Sequence, residues 1–349
     1  MKATLLCPNN SSIDSTMPRR PAKLSNCYVP LPLPSYSGGE TVEEGNSSSS
    51  DRRADGRTAG HELRQLCLET SVISRAMGSS LVELGHTKVL AEVHIAAANM
   101  SRNNAGNNHG SNNNEATNDI GCLRCNVKYA PHIGIDQVAQ QSLSVTPLDG
   151  TNSNSTSSTM PTTTTVSAGK LNQELAMREA DLSRQLTAAL LPVIILERYP
   201  KVAIVVNTTI LQDDGSCLSS AITAASMALV DARVELRDMV TSCTVAVVER
   251  DSRDDMKDDD SDDDDQWLYL ADPTQLEVTA KDGSSTALIC LAMTPNHKEV
   301  TLWSQSGRLS SDMASRAMEL CRDGCRTMHK LMKSSSISSE SFASDNITQ

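Results

Sequence analysis

Alternating apolar and polar positions mark the strands of this chain. Lys88 to Ile95 carries Val89, Ala91, Val93 and Ile95 on one side, the period-two signature of a half-buried strand. Gln65 to Thr70 and Ser79 to Leu84 read the same way, and Gly85-His86-Thr87 supplies the turn into Lys88. Cys122 to Tyr129, Lys201 to Leu211, Thr241 to Val248, Trp267 to Leu270, Thr286 to Met293 and Glu299 to Trp303 are further strands. The period changes to 3.6 in three places. From about Asn172 a helix carries Leu175, Leu182, Leu186 and Leu190 on one face until Pro192 disturbs it. After Asp213-Asp214-Gly215-Ser216 comes a helix with Leu218, Ile222, Ala225 and Leu229 inward. Ala and Ser occupy nearly all its other sides, so neighbours can approach all round, as they do at a central helix. Ser311 opens a last helix with Met313, Ala317, Leu320, Met328 and Leu331 inward. Strands mixed with a few helices, without regular βαβ alternation, indicate the α+β class, with mixed sheets packed against helices.

Low-complexity segments divide the pattern. Residues 1–52 are rich in Pro, Ser and Gly without periodicity and read as a disordered leader. Inserts at 98–119 (Asn-rich), 140–168 (Ser/Thr-rich) and 251–265 (acidic) lie between periodic segments, as surface-loop expansions do. The folded domain therefore spans 53–333, in an N-terminal part (53–250) and a C-terminal part (266–333), and a Ser-rich loose tail occupies 334–349.

Charge and composition narrow the chemistry. Of the net charge of −12, the acidic insert holds −8 through ten Asp, one Arg and one Lys, leaving −4 for the rest. Two Trp, five Tyr and one Phe are too few for aromatic stacking on RNA bases. No apolar run approaches the ~18 residues of a membrane span, and the apolar stretch at the N-terminus is too short for a secretory signal. Most of the ten cysteines sit in apolar runs (Cys67, Cys217, Cys243, Cys290), a pattern of reduced, buried thiols. Cys122 and Cys125 have zinc-knuckle spacing, and Cys321, Cys325 and His329 share a helix face. Cys122 and Cys125, however, fall on opposite faces of a strand, so no metal site is expected.

Several stretches, in order, resemble the RNase PH family. They are Arg53-Ala54-Asp55-Gly56-Arg57, the run from Val72 to Ser80, Gly85 to Ala91, Arg178 to Ser183, Ile210 to Gly215, Ala228 to Ala232 and Asp272-Pro273-Thr274. The resemblance covers about 53–333 outside the inserts. Within the family it is strongest to the ring subunits of the eukaryotic RNA exosome. Ile210 to Ser216, Arg198-Tyr199-Pro200 and Asp272 to Thr274 are most similar to the mRNA transport regulator three type. The resemblance implies an RNase PH-like fold and a mixed ring of RNase PH-like exosome subunits bearing cap proteins. RNA would pass through the central channel, without membrane or cofactor, in nucleus, nucleolus and cytoplasm.

Phosphorolysis joins two anions, so its site needs fixed positive charge on the phosphate and acids to hold a metal or move a proton. Active family members resemble one another in two phosphate-binding arginines and two Asp six residues apart. Arg178 matches the first arginine, with an ion pair to Glu174 or Asp181 as its purely structural alternative. Leu218 stands at the second. Asp272 matches the first acid, or serves simply as a turn residue before Pro273. Val278 stands at the second; Glu277, read here as lying in a strand, points to the other face unless a bulge turns it in. Ser216 and Ser219 add hydroxyls at the helix N-terminus, whose N–H groups would still give weak anion capture. Candidate RNA contacts are Arg102 in the Asn-rich insert (with His109) and Arg124 and Lys128 beside it. The expectation is a non-catalytic ring subunit. The alternative is an active phosphate-dependent 3′-exoribonuclease using Glu277, and a third possibility is a ring of six copies.

Overall fold

The computed structural model describes residues 27–28, 53, 55–57, 60–97, 120–133, 168–249, 267–279 and 286–345. Most of the inserts and leader lie outside these residues, as do Arg102 and His109. The alternating segments form strands at nearly the expected bounds. In chain order the elements are β1 (Cys27–Tyr28), β2 (Leu66–Thr70), β3 (Gly78–Leu84), β4 (Thr87–Ala97), β5 (Cys122–Tyr129), α1 (Ala168–Leu190) and β6 (Val202–Gln212). They continue with α2 (Cys217–Asp231), β7 (Thr241–Glu249), β8 (Trp267–Ala271), α3 (Gln275–Thr279), β9 (Thr286–Thr294), β10 (Glu299–Ser306) and α4 (Ser311–Asp345). The first sheet has the order β1-β2-β3-β4-β6-β5 and the second β10-β9-β7-β8. Every pairing is antiparallel except that of β5 with β6, so the first sheet is mixed.

Helix α2 packs against β3, β4 and β7, between the sheets, and is buried from Ser219 to Leu229. Its small residues are what permit this. Ser80 Oγ donates to the Ala224 carbonyl at 2.6 Å, and Ser242 Oγ to the Ser219 carbonyl at 2.8 Å, so strands from both sheets touch the helix backbone. Helix α1 lies against β5 at the rim of the first sheet, and α4 covers β7 and β9. The backbone N–H groups of Val127 and Tyr129 on β5 donate to Ser183 Oγ (2.8 Å) and Glu179 Oε1 (3.0 Å) of α1.

Three expectations are corrected. The leader is not wholly without structure, because Cys27–Tyr28 pairs as an edge strand with β2, Cys27 opposite Cys67. Two residues are too few to leave a periodic trace. Cys67 is disulfide-bonded, against the reading of reduced thiols throughout. Cys122, Cys125, Cys217, Cys243, Cys290, Cys321 and Cys325 are free, and burial pushes the Cys125 thiol up to about 11 and that of Cys290 up to about 12. Finally, α4 runs past Lys333 into the segment read as a loose tail. Ser335 is buried there, and Ser334 and Ser336 donate to the carbonyls of Leu331 and Met332. Serine hydroxyls thus bond back into the helix they were expected to end.

Candidate functional site

The loop of residues 213–216 carries β6 into α2, and its shape depends on one glycine. Gly215 has φ +88°, and a Cβ there would lie 2.6 Å from the Pro273 carbonyl. Ser216 follows, also left-handed at φ 56°. The close approach staples this loop to residues 272–275: Gln275 N–H donates to the Asp214 carbonyl (3.0 Å) and Ser216 Oγ to that of Pro273 (3.2 Å). The segments that carry Leu218 and Asp272 in the sequence are therefore neighbours in space.

Asp272 is held by arginine. Arg64 Nε donates to Oδ2 at 2.8 Å and its Nη2 to Oδ1 at 2.7 Å, with both side chains almost fully buried. The same guanidinium donates to the carbonyls of Asp214 (3.0 Å) and Gly215 (3.2 Å), tying the pair to the glycine loop. Burial alone would raise the Asp272 carboxyl, but the charge and hydrogen bonds of Arg64, with Arg57 and Ser216, hold it below the usual carboxylate range. Asp272 is thus not merely a turn residue, although its φ of 48° does bend the chain. It is the acceptor of a buried bidentate ion pair.

Two further arginines close over the same segment. Arg53 donates to the Ala271 carbonyl (2.9 Å) and, through Nε and Nη2, to both Glu277 oxygens at 2.7 and 2.8 Å. Arg57 donates to the Glu62 carbonyl (2.6 Å) and the Asp272 carbonyl (3.0 Å). Glu277 does not lie in a strand as expected. It sits on α3, a single turn whose start is capped by its own carboxylate on Thr274 N–H at 2.8 Å. Thr274 and Glu277 stand three apart, the capping-box spacing, which overrides the short apolar alternation. Burial pushes the Glu277 carboxyl up, but hydrogen bonds from Arg53 and Thr274 and the charges of Arg53 and Arg57 bring it below its ordinary value. Val278, its neighbour, is half-buried.

The N-terminal end of α2 carries a different arrangement. Leu218 packs at the margin of the main core. Ser219 Oγ donates to the Ser216 carbonyl at 2.9 Å, so the hydroxyls of both serine candidates are engaged within the protein. Asp213 Oδ1 accepts from Gly215 N–H at 3.0 Å, and its Oδ2 accepts from the Tyr129 hydroxyl at 3.3 Å. Tyr129 also lies 3.8 Å from Cys217 Sγ. Burial raises the Asp213 carboxyl, against the Gly215 N–H, Cys217, Tyr129 and the positive charge of Arg178. Arg178 thus projects its field onto this cluster. It takes neither ion pair considered for it, with Glu174 or with Asp181, and Asp181 pairs with Arg184 instead. Among the described residues Arg178 makes no salt bridge.

Of the outer candidates, Lys128 Nζ pairs with Glu179 at 2.6 Å, which lowers its availability to RNA, while Arg124 is exposed on β5. Cys122 and Cys125 diverge across the strand, and Cys325 Sγ donates inward to the carbonyls of Thr241 (3.6 Å) and Leu291 (3.7 Å). Among the described residues, no three metal-ligating side chains come together. Sequence reasoning missed Arg64, Tyr129 and Asp213. Asp213 lay within the Ile210–Gly215 stretch without a role, and the Arg53–Arg57 motif carried a signal whose role as a clamp needed the distant partners.

Comparison with known proteins agrees with this architecture. Residues 62–235 match the family model described as 3′ exoribonuclease family, domain 1. The human exosome complex component MTR3 is 26% identical over 291 residues, covering 82% of this chain and 88% of that protein. The exosome complex component Rrp41 of Cenarchaeum symbiosum is 26% identical over 282 residues, 80% and 88% of the two chains. A solved archaeal exosome core chain superposes with a TM-score of 0.52 at 18% identity, over 81% of this chain and 92% of that one, and shares the fold. Residues 62–235 form an RNase PH domain, and through it the chain belongs to the RNase PH family of 3′ exoribonucleases.

Proposed function

We propose that this chain is a non-catalytic subunit of an exosome core ring. It would serve 3′-to-5′ RNA processing and degradation by completing the ring and guiding RNA. The observation that carries this reading is the state of the site. Leu218 and Val278 stand where the family resemblance expects an arginine and an acid, and the remaining acid, Asp272, gives both oxygens to Arg64. Asp213 adds a buried carboxyl at the end of α2 where an incoming phosphate would need positive charge. The rival reading asks Glu277 to replace the missing acid, but Arg53 holds both of its oxygens. Its partners would be other RNase PH-like ring subunits and cap proteins, in nucleus, nucleolus and cytoplasm.

The test is phosphate-dependent decay of single-stranded RNA by the purified chain. No nucleoside diphosphate above the buffer control is expected. Robust release, lost in Arg178→Ala, would overturn the reading. Co-purification is expected to bring stoichiometric RNase PH-like partners; a stable six-copy ring without them would overturn the mixed assembly.

A further inference from the structure

A cavity of about 330 Å³ opens at the C-terminal end of α2, at the other end of that helix from the glycine loop. Val230, Val234, Leu236 and Met239 make its apolar walls, and Asp238, Asn296, His329 and Lys333 supply its polar groups. Its size falls within the roughly 300–1,000 Å³ of small-ligand sites.

Three observations define its chemistry. His329 Nδ1 is shielded from solvent and has no hydrogen-bond partner among the described residues. A polar atom left this way is costly, so a ligand that bonds to it recovers stability. Burial lowers the His329 pKa, with Asp238 opposing and Lys333 adding to the effect, so the ring stays neutral and keeps one N–H and one lone pair. Secondly, the Asp238 carboxylate is already answered by Met239 N–H (2.8 Å), Asn296 N–H (3.0 Å) and the Asn296 amide (2.8 Å). Thirdly, the lining segments carry an excess of positive charge, five Lys and Arg against Glu235, Asp238 and Glu299. Arg233 and Arg237 flank Val234, Leu236 and Asp238, Lys298 follows Asn296, and Lys330 and Lys333 extend from His329. All five are exposed and make no ion pair with a described residue. Glu235, between the two arginines, faces Arg198 at 3.5 Å.

We propose that this cavity takes one nucleotide of a single RNA strand. The base would lie between the aliphatic walls, a turn of the His329 ring would bring Nδ1 to its edge, and its phosphate would lie on Lys333 and the neighbouring arginines. The proposal rests on the RNA-guiding role above and gives that role a surface separate from the glycine loop. Aliphatic walls suit a chain with so few aromatic side chains, since a base can pack on them without a stacking platform.

Fluorescence anisotropy of a labelled ten-nucleotide RNA with the full chain tests it. Lys333→Glu, at an exposed position, is expected to weaken binding about fivefold or more and to reduce the salt slope by about one. His329→Leu is expected to weaken binding about tenfold with the salt slope unchanged, as loss of a base contact does. Arg184→Glu, on α1, should stay within twofold. Unchanged affinity in both pocket variants, with melting curves like the parent's, would overturn the proposal, and so would absence of strand binding at low salt. Displacement of the strand by micromolar mononucleotide would also overturn it, assigning the cavity to free nucleotides. Release of nucleoside diphosphates is a separate readout, so either reading can fall alone.

Discussion

Two buried carboxylates lie at the same glycine loop, and the protein treats them oppositely. Asp272 meets a guanidinium in direct bidentate contact, and its carboxyl is held below the usual carboxylate range. Asp213 takes an amide N–H and a hydroxyl and feels Arg178 only through its field, and burial raises it. The difference teaches that contact, rather than proximity, decides which form a buried acid keeps. The non-catalytic reading proposed above rests on this contrast: one acid is locked as an anion, and the other holds its proton more tightly beside the site.

The largest way to break this contrast is to remove the contact. Arg64→Ala would strand the Asp272 charge and cost about 3–5 kcal/mol, read by urea denaturation. A loss under about 1 kcal/mol would mean that the pair is not buried as described. Next in size is Gly215→Ala, which places a Cβ against Pro273 in a left-handed conformation. A cost of about 1–3 kcal/mol is expected from the same measurement. An unchanged midpoint would show that the two loops are not stapled together.

A pH series sharpens the comparison. The Asp272 and Glu277 carboxyls are depressed, so their contribution is present above the ordinary carboxyl range of about 4 and is lost as pH falls through their lower folded values. The raised Asp213 carboxyl acts the other way. Its contribution is full below about 4 and is lost as pH rises through its folded value. Asp213→Asn should therefore gain on the parent as pH rises from about 4 and show no gain in acid, read as denaturation midpoints; parallel curves would contradict the assignment. The smallest expected effect comes from Leu218→Arg combined with Val278→Asp. Phosphate-dependent RNA decay should stay at background, because Arg64 still holds Asp272 and Asp213 still faces the loop. Recovered activity would show that two residues alone had silenced the site.

How far the sequence revealed this depends on the range of the interactions. β4 and β6 were legible because alternation is written in adjacent residues, and α2 because small residues surround its apolar stripe. α3 was misread as strand, since the Thr274–Glu277 cap looks like alternation over so short a run. Arg64 and Asp272 lie 208 positions apart, and no local pattern announces such a pair. The family resemblance located Asp272 but not the guanidinium that occupies it. Tyr129 and Asp213 escaped for the same reason, being joined only by the fold.

The N–H groups of Val127 and Tyr129 have a consequence for assembly. β5 ends the first sheet, and an open rim is where another chain would add its own strand. Glu179 and Ser183 already occupy those donors, so main-chain zippering is blocked along that stretch. A neighbour meeting this rim must therefore recognise side chains, Arg124 and the Lys128–Glu179 pair among them. That makes its choice of partner a matter of residue identity rather than of generic backbone pairing.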